Sequence, residues 1–262
     1  MGEMGTRTPI VAGNWKMNFG PGEARAFAAS IVSGLTLQSG VECVLCPPFI
    51  SLPAVREVVA ETKVKLGAQN MYFEAKGAYT GEISPTMLQG ICEYVILGHS
   101  ERRSYFGETD ELVNKKVHSA FAHQLRPIVC VGERLEQRDA NLTERVITTQ
   151  VHGSLADLPA GMLHELVVAY EPIWAIGTGR AATAQDAADA AAIIRALLAE
   201  MYGQEAALGV RIQYGGSVTA QNVADFAAVA DIDGSLVGGA SLQPDFVEIA
   251  ARTAQIKSRV TG

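Results

Sequence analysis

Five short stretches carry the residue types that could do chemistry. Gly13-Asn14-Trp15-Lys16-Met17-Asn18 offers an amide and an ammonium, and Gly98-His99-Ser100-Glu101-Arg102-Arg103 an imidazole between small residues. Glu171-Pro172-Ile173-Trp174-Ala175-Ile176-Gly177-Thr178-Gly179 begins with a carboxylate followed at once by proline. Gly215-Gly216-Ser217 and Gly238-Gly239-Ala240-Ser241 add two glycine pairs. A glycine pair leaves backbone N–H groups uncovered by any Cβ, which suits an anion such as a phosphate. A carboxylate and an imidazole are common partners for moving a proton, and an ammonium attracts an anionic substrate. Proline at 172 biases Glu171 toward extended geometry, which keeps the carboxylate on a strand end. Each feature also has a plain structural reading: an ion pair, a satisfied histidine, a surface charge or a tight turn. What separates the two readings is whether the fold brings the five stretches to one place.

The elements that must do so are legible as apolar, β-branched runs: Ile10 to Ala12, Val41 to Leu45, Val64 to Ala68, Tyr94 to Leu97, Ile128 to Val131, Leu166 to Tyr170, Val210 to Tyr214 and Ser235 to Val237. They are too continuously apolar for strands wet on one face, which points to a parallel sheet covered by helices. Helical patterns with apolar residues at i, i+3 and i+4 lie between them, as in Ala24 to Leu35, Glu111 to Gln124 and Ala187 to Met201. Eight right-handed crossovers close a sheet on itself, so the spacing predicts one α/β domain, a (β/α)8 barrel over residues 9–262. In that architecture strand ends on the C-terminal face carry chemistry, and all five stretches follow directly on a predicted strand.

With those strand ends in place the chain resembles the triosephosphate isomerase family from Pro9 to about Thr253. The resemblance is carried by Ala12 to Asn18, Gly98 to Arg103 and Ala169 to Gly179. It implies interconversion of dihydroxyacetone phosphate and glyceraldehyde 3-phosphate through an enediolate, in glycolysis and gluconeogenesis, with no metal or organic cofactor. Glu171 is then the base, shielded by Ile173, Trp174 and Ile176 on a lid from about Pro172 to Ala182. His99, Lys16 and Asn14 are the electrophilic donors, with the imidazole kept uncharged by a helix N-terminus. Glu101 and Ser100 support them from behind. Gly238, Gly239, Ser217 and Gly177 hold the phosphate, with helix N-termini behind the glycine pairs. The long loop from Gln69 to Glu82 resembles a dimer loop whose Thr80 reaches the partner subunit's Asn14, which implies a homodimer. One departure is Arg180-Ala181-Ala182 where Lys-Thr-Ala is frequent, which bears on lid kinetics and not on the chemistry. An isomerase of a four-carbon sugar phosphate, or a non-catalytic phosphate-binding barrel, are the alternatives.

Composition narrows the field further. Lys and Arg number 21 against 28 Asp and Glu, a net charge of −7, which argues against a nucleic-acid partner. With 48% hydrophobic residues and a mean hydropathy of +0.14 the chain can bury a full core. No stretch reaches the length of a membrane span, and Met1 to Thr8 is polar, read as a frayed extension of a cytoplasmic protein. Cys43-Val44-Leu45-Cys46 has redox or zinc spacing, but on a strand residues three apart point to opposite faces, so these cysteines are expected to be buried free thiols. Gly177-Thr178-Gly179-Arg180-Ala181-Ala182 matches a lax dinucleotide fingerprint but lies several residues past its strand, the wrong context. His118, His123, His152 and His164 lack ligand spacing and receive no function.

Overall fold

Eight parallel strands form in the computed structural model, which describes residues 7–176 and 180–260. They are β1 (Ile10–Asn14), β2 (Glu42–Cys46), β3 (Lys65–Ala68), β4 (Tyr94–Leu97), β5 (Arg126–Val131), β6 (Val167–Tyr170), β7 (Arg211–Tyr214) and β8 (Gly234–Val237). Each pairs with its sequence neighbours, and β8 returns to β1 through Ile10↔Gly234 and Gly13↔Val237, which closes the barrel as expected. β1 runs two residues further than its apolar run, because Gly13 and Asn14 stay in register with Leu45 and Cys46. β5 starts two residues earlier, at Arg126.

Side chains alternate across each strand, and the two faces are filled separately. Ile10, Ala12, Val44, Cys46, Tyr94, Ile96, Ile128, Cys130, Val167 and Ala169 pack together inside the barrel. Val11, Leu45, Val95, Leu97, Val129 and Val168 pack outward, against the helices. Helix Ala184–Tyr202 shows why: its buried Ala187, Ala190, Ala191, Ile194 and Leu198 make one stripe at helical spacing. Thr183 and Asp186 cap its start reciprocally, and Thr109 caps the helix Asp110–Ala122 through the Leu112 N–H.

Two expectations need adjusting. The strand–helix alternation is not uniform, since β3 is followed by a long loop and a single turn, Pro85–Leu88, and β7 by the short helix Val223–Ala227. The anchored chain starts within the expected frayed lead, because the Arg7 guanidinium donates to Asp233 at 2.8 Å and to the carbonyl of Leu208 at 3.2 Å. Of that lead, residues 1–6 lie outside the described residues.

All four cysteines are buried free thiols. Cys43 faces the helices and Cys46 the barrel interior, as strand alternation requires. Burial pushes the Cys43 and Cys92 thiols up to about 12 and raises those of Cys46 and Cys130 well above the usual thiol range. A thiol at about 12 is deprotonated to roughly one part in 10⁴ at pH 8, and the thiolate is the nucleophile. A disulfide reagent at pH 8 is therefore expected to titrate almost no thiol in the folded protein and four in guanidinium. Rapid reaction of even one thiol in the folded state contradicts this burial.

Candidate active site

Strand parity aims two of the five stretches. Ile10 and Ala12 point inward, so Asn14 does too; Val167 and Ala169 point inward, so Glu171 comes next, at the C-terminal mouth. The Glu171 N–H donates to the Val131 carbonyl at 2.8 Å, which holds the residue in the β6 line. Beside it only glycine fits: a Cβ on Gly132 would stand 1.8 Å from the Glu171 carbonyl oxygen. The carboxylate is 97% shielded and is held from the loop after β4. Ser100 donates its N–H to Oε2 at 2.9 Å and its hydroxyl to Oε1 at 3.1 Å, while His99 Nε2 lies 3.0 Å from Oε1.

His99 reaches this place because Gly98 turns the chain out of β4 with a φ of 68°, a left-handed conformation that suits glycine. The imidazole then caps the helix Ser100–Tyr105, and its Nδ1 accepts the Glu101 N–H at 3.2 Å. A ring nitrogen that accepts carries no proton, so the hydrogen-bond network assigns the proton to Nε2, which donates toward Glu171. A short helix, Ser100–Tyr105, does begin directly after His99.

Lys16 is held with equal care. Its φ of 50° is uncommon for a residue with a side chain, and three hydrogen bonds fix it. Asn14 Oδ1 accepts the Lys16 N–H at 3.0 Å, and Gln69 Nε2 donates at 2.8 Å both to the Lys16 carbonyl and to that of Cys46. Trp15, buried between Phe19 and Phe27 at 5.5 Å from each ring, anchors the same loop. The ammonium meets Glu101 Oε1 at 2.6 Å, and a Cβ on Gly238 would stand 4.0 Å from Nζ, which puts Lys16 beside the β8 glycines.

A cavity of about 360 Å³ collects these groups: Asn14, Lys16, His99, Glu171, Ile176, Gly215, Gly216, Ser217, Gly238 and Gly239 are on its wall and Leu236 with them. Gly177 lies outside the described residues. Thr80 is exposed on the β3 loop, apart from the cavity within this chain. Glu101 contacts the Lys16 ammonium, and Ser100 the Glu171 carboxylate. Two expectations change. The Ser217 hydroxyl donates to the Ala175 carbonyl at 2.9 Å, so its single O–H ties down the segment after Glu171. Behind Gly238-Gly239 there is one 3-10 turn, Gly239–Leu242, and behind Gly215-Gly216 no helix begins until Val223. A reciprocal turn between Thr219 and Asn222 takes up the intervening chain.

Sequence reasoning overlooked Gln69 and Glu133. Gln69 sits directly after β3 and Glu133 two residues after β5, rim positions that a complete reading of all eight strand ends would have included. Glu133, fully buried, accepts from Tyr170 Oη at 3.1 Å and from Trp174 Nε1 at 2.8 Å, and its carbonyl takes the Ile173 N–H at 3.1 Å.

The model of the triosephosphate isomerase family matches residues 9–253. Among curated proteins the chain is similar to the triosephosphate isomerase of Chloroflexus aurantiacus, 56% identical over 90% of this chain and 95% of that protein. It is similar also to those of Clostridium perfringens, 54% identical over 93% and 98%, and Carboxydothermus hydrogenoformans, 52% over 90% and 95%.

Because Gln69 holds two carbonyls that set the Lys16 backbone, Gln69→Leu leaves both without that donor. At about 1–3 kcal/mol for a buried group left unpaired, catalytic efficiency is expected to fall roughly ten- to a hundredfold. Steady-state kinetics on the folded variant check this, and wild-type efficiency would show that Lys16 needs no such anchor.

Proposed function

The chain belongs to the triosephosphate isomerase family and is an isomerase of triose phosphates, and from that premise we propose how its residues divide the reaction. Glu171 is the base that takes the proton from one carbon and returns it to the next. The carrying observation is that its shielded carboxylate lies 3.0 Å from His99 Nε2 on the wall of a cavity lined by both glycine pairs. One side of that cavity offers amides for a phosphate and the other a base for the carbon adjacent to a carbonyl.

In the free protein the carboxylate is occupied by Ser100 and His99, so binding of substrate must draw it off them toward the cavity. Abstraction breaks one C–H bond, its electron pair forms the carbon–carbon double bond, and the carbonyl oxygen takes the charge. His99 through Nε2–H, Lys16 through its ammonium and Asn14 face that oxygen and stabilise it. The hydroxyl on the carbon that lost its hydrogen gives its proton to the charged oxygen, with His99 Nε2 relaying between the two oxygens, and return of the proton from Glu171 to the neighbouring carbon completes the isomerisation. Gly238 and Gly239 hold the phosphate through their amides, with Gly177 contributing from the segment that follows Glu171 and Ser217 through its N–H from the loop after β7. Ile173, Trp174 and Ile176 on that segment exclude water, which strengthens each of these interactions. Glu101 steers Lys16, and Ser100 parks the base between turnovers. Family membership sets aside a non-catalytic barrel, and Ile176 and Leu236 on the wall favour a three-carbon over a four-carbon substrate.

A homodimer is part of the same proposal. On the β3 loop, Tyr72 packs with Phe73 and Tyr79 at 4.4 and 4.6 Å, and Tyr79 remains exposed. Met17, Ile50, Met87, Tyr105 and Phe106, on the connections leaving β1 to β4 at one end of the barrel, are exposed as well. Large apolar side chains on four consecutive connections suit an interface, with Thr80 reaching toward the partner subunit's Asn14. Among the described residues no helix is long and apolar enough to cross a membrane, and we place the enzyme in the cytoplasm, in glycolysis and gluconeogenesis.

Glu171→Ala is expected to lower kcat by at least about 10² to 10⁴ while a phosphate-bearing analogue still binds. Lys16→Met should cost on the order of 3 kcal/mol in kcat/KM. A coupled assay with glyceraldehyde 3-phosphate beside four-carbon phosphates measures both, and activity of Glu171→Ala within tenfold of wild type refutes the base. Sedimentation should give twice the monomer mass; a stable, fully active monomer ends the dimer proposal.

A further inference from the structure

The two ends of the segment that follows Glu171 meet on one side chain that touches neither the cavity nor the base. Arg138 lies on the short helix Leu135–Asp139, after β5. Its guanidinium covers the Trp174 ring at 4.9 Å from the centroid, with Nη1 3.8 Å from Glu133 Oε1. The same Glu133 oxygen takes the Trp174 N–H at 2.8 Å, so cation, carboxylate and indole form one packed unit at the leading end. At the trailing end Nη2 pairs with Asp186 Oδ1. The other Asp186 oxygen takes the Thr183 N–H at 2.9 Å and the Thr183 hydroxyl at 2.7 Å, the cap that starts the helix Ala184–Tyr202.

We propose that Arg138 is a positioning residue for the isomerisation: by joining Trp174 to the Thr183–Asp186 cap it holds Trp174, and with it the base and Ile176, in place. This rests on the reading of Glu171 as the base. Trp174 stands three residues after Glu171, and Ile176, two residues further, is on the cavity wall. The Ala175 carbonyl between them is tied to Ser217 on the β7 loop. A shift of Trp174 is therefore carried to both the base and the wall. Burial raises the Asp186 carboxyl, but the Thr183 bonds and the Arg138 charge outweigh it and hold it below the usual carboxylate range, so the pair stays charged at neutral pH. A guanidinium is suited to the task because it can stack flat on an indole and donate along its edge at once, which an ammonium cannot. Arg138 is not on the cavity wall, whereas Gly238 and Gly239, whose amides are assigned to the phosphate, are.

A misplacement of about 1 Å at a reacting group can cost 10²-fold in rate. Arg138→Met is expected to lower kcat ten- to a hundredfold, while the inhibition constant for inorganic phosphate stays within twofold of wild type. Arg138→Lys, which keeps the charge for Asp186 but not the flat stack, should recover part of kcat. Trp174 emission should shift to the red in Arg138→Met and less in Arg138→Lys, with Trp15 removed as Trp15→Phe in the reference and in both variants. If Arg138→Met does not fold, Asp186→Asn serves instead: it keeps an acceptor for Thr183, weakens only the trailing tie, and should lower kcat three- to tenfold. Arg138→Met with kcat within threefold of wild type overturns the proposal, as does a fall in kcat matched by an equal loss of phosphate affinity. In the Asp186→Asn arm an unchanged kcat overturns it. Glu171→Gln run in parallel separates the two readings: if it is active, the base assignment fails; if it is dead while Arg138→Met is normal, only the role of Arg138 fails.

Discussion

A carboxylate buried to within 3% of full shielding must find partners, and Glu171 is held by the Ser100 N–H and hydroxyl and the His99 ring, with the Cys130 thiol of β5 against it as well. Without them burial of the charge would be prohibitive. With them the side chain is ordered at the barrel mouth but satisfied from the side away from the substrate. In the proposed mechanism the carboxylate exchanges these donors for a C–H bond, so the same contacts that make the site stable would also set how readily the base is released. His99 would then work on both sides of that exchange, because its Nδ1 is tied to the Glu101 N–H and its Nε2 is left to face first the carboxylate and then the substrate oxygen.

The barrel makes the arrangement rigid. Asn14 and Glu171 are the inward residues next in phase after Ala12 and Ala169, so their placement follows from strand alternation together with the register around the closed sheet. Where the site departs from that regularity the backbone turns left-handed. Gly98 does so immediately before His99 at no steric cost, and Lys16 does so despite its side chain. Both points are held by hydrogen bonds: the Gly98 N–H is taken by the buried Glu108 carboxylate, and Asn14 and Gln69 hold the strained Lys16 on either side. Such pairing of strain with nearby hydrogen bonds is what a pre-organised site needs, since it leaves little to rearrange when substrate arrives.

Much of this could be read from the chain alone. The eight strands are continuous apolar runs because both of their faces are buried, and that signal survives without any partner information. Asn14, Lys16, His99 and Glu171 were visible because each follows a strand within a few residues. What escaped was contact across sequence distance. Gln69 meets Lys16 across 53 positions and Arg138 meets Asp186 across 48, and nothing in either local pattern announces the other. The long loop in place of a full helix after β3 was visible as a loop, but the helix missing behind Gly215-Gly216 was not, because the Thr219–Asn222 turn resembles an ordinary helix start. The Ser217 hydroxyl was assigned to an anion from its glycine neighbours, whereas its bond to Ala175 depends on where the segment from β6 lies.

That one shielded carboxylate carries hydrogen between adjacent carbons is open to a direct isotopic measurement. Dihydroxyacetone phosphate labelled with deuterium at the carbon that loses its proton would be converted in ordinary water, and the product analysed for label at the neighbouring carbon. A single base held out of contact with bulk water should return a measurable fraction of the label there, and Glu171→Asp, which moves the carboxylate back by one methylene, should slow turnover without abolishing that return. Complete loss of label to solvent at every extent of reaction would contradict the account, because it would mean that the proton is exchanged with water before Glu171 could deliver it.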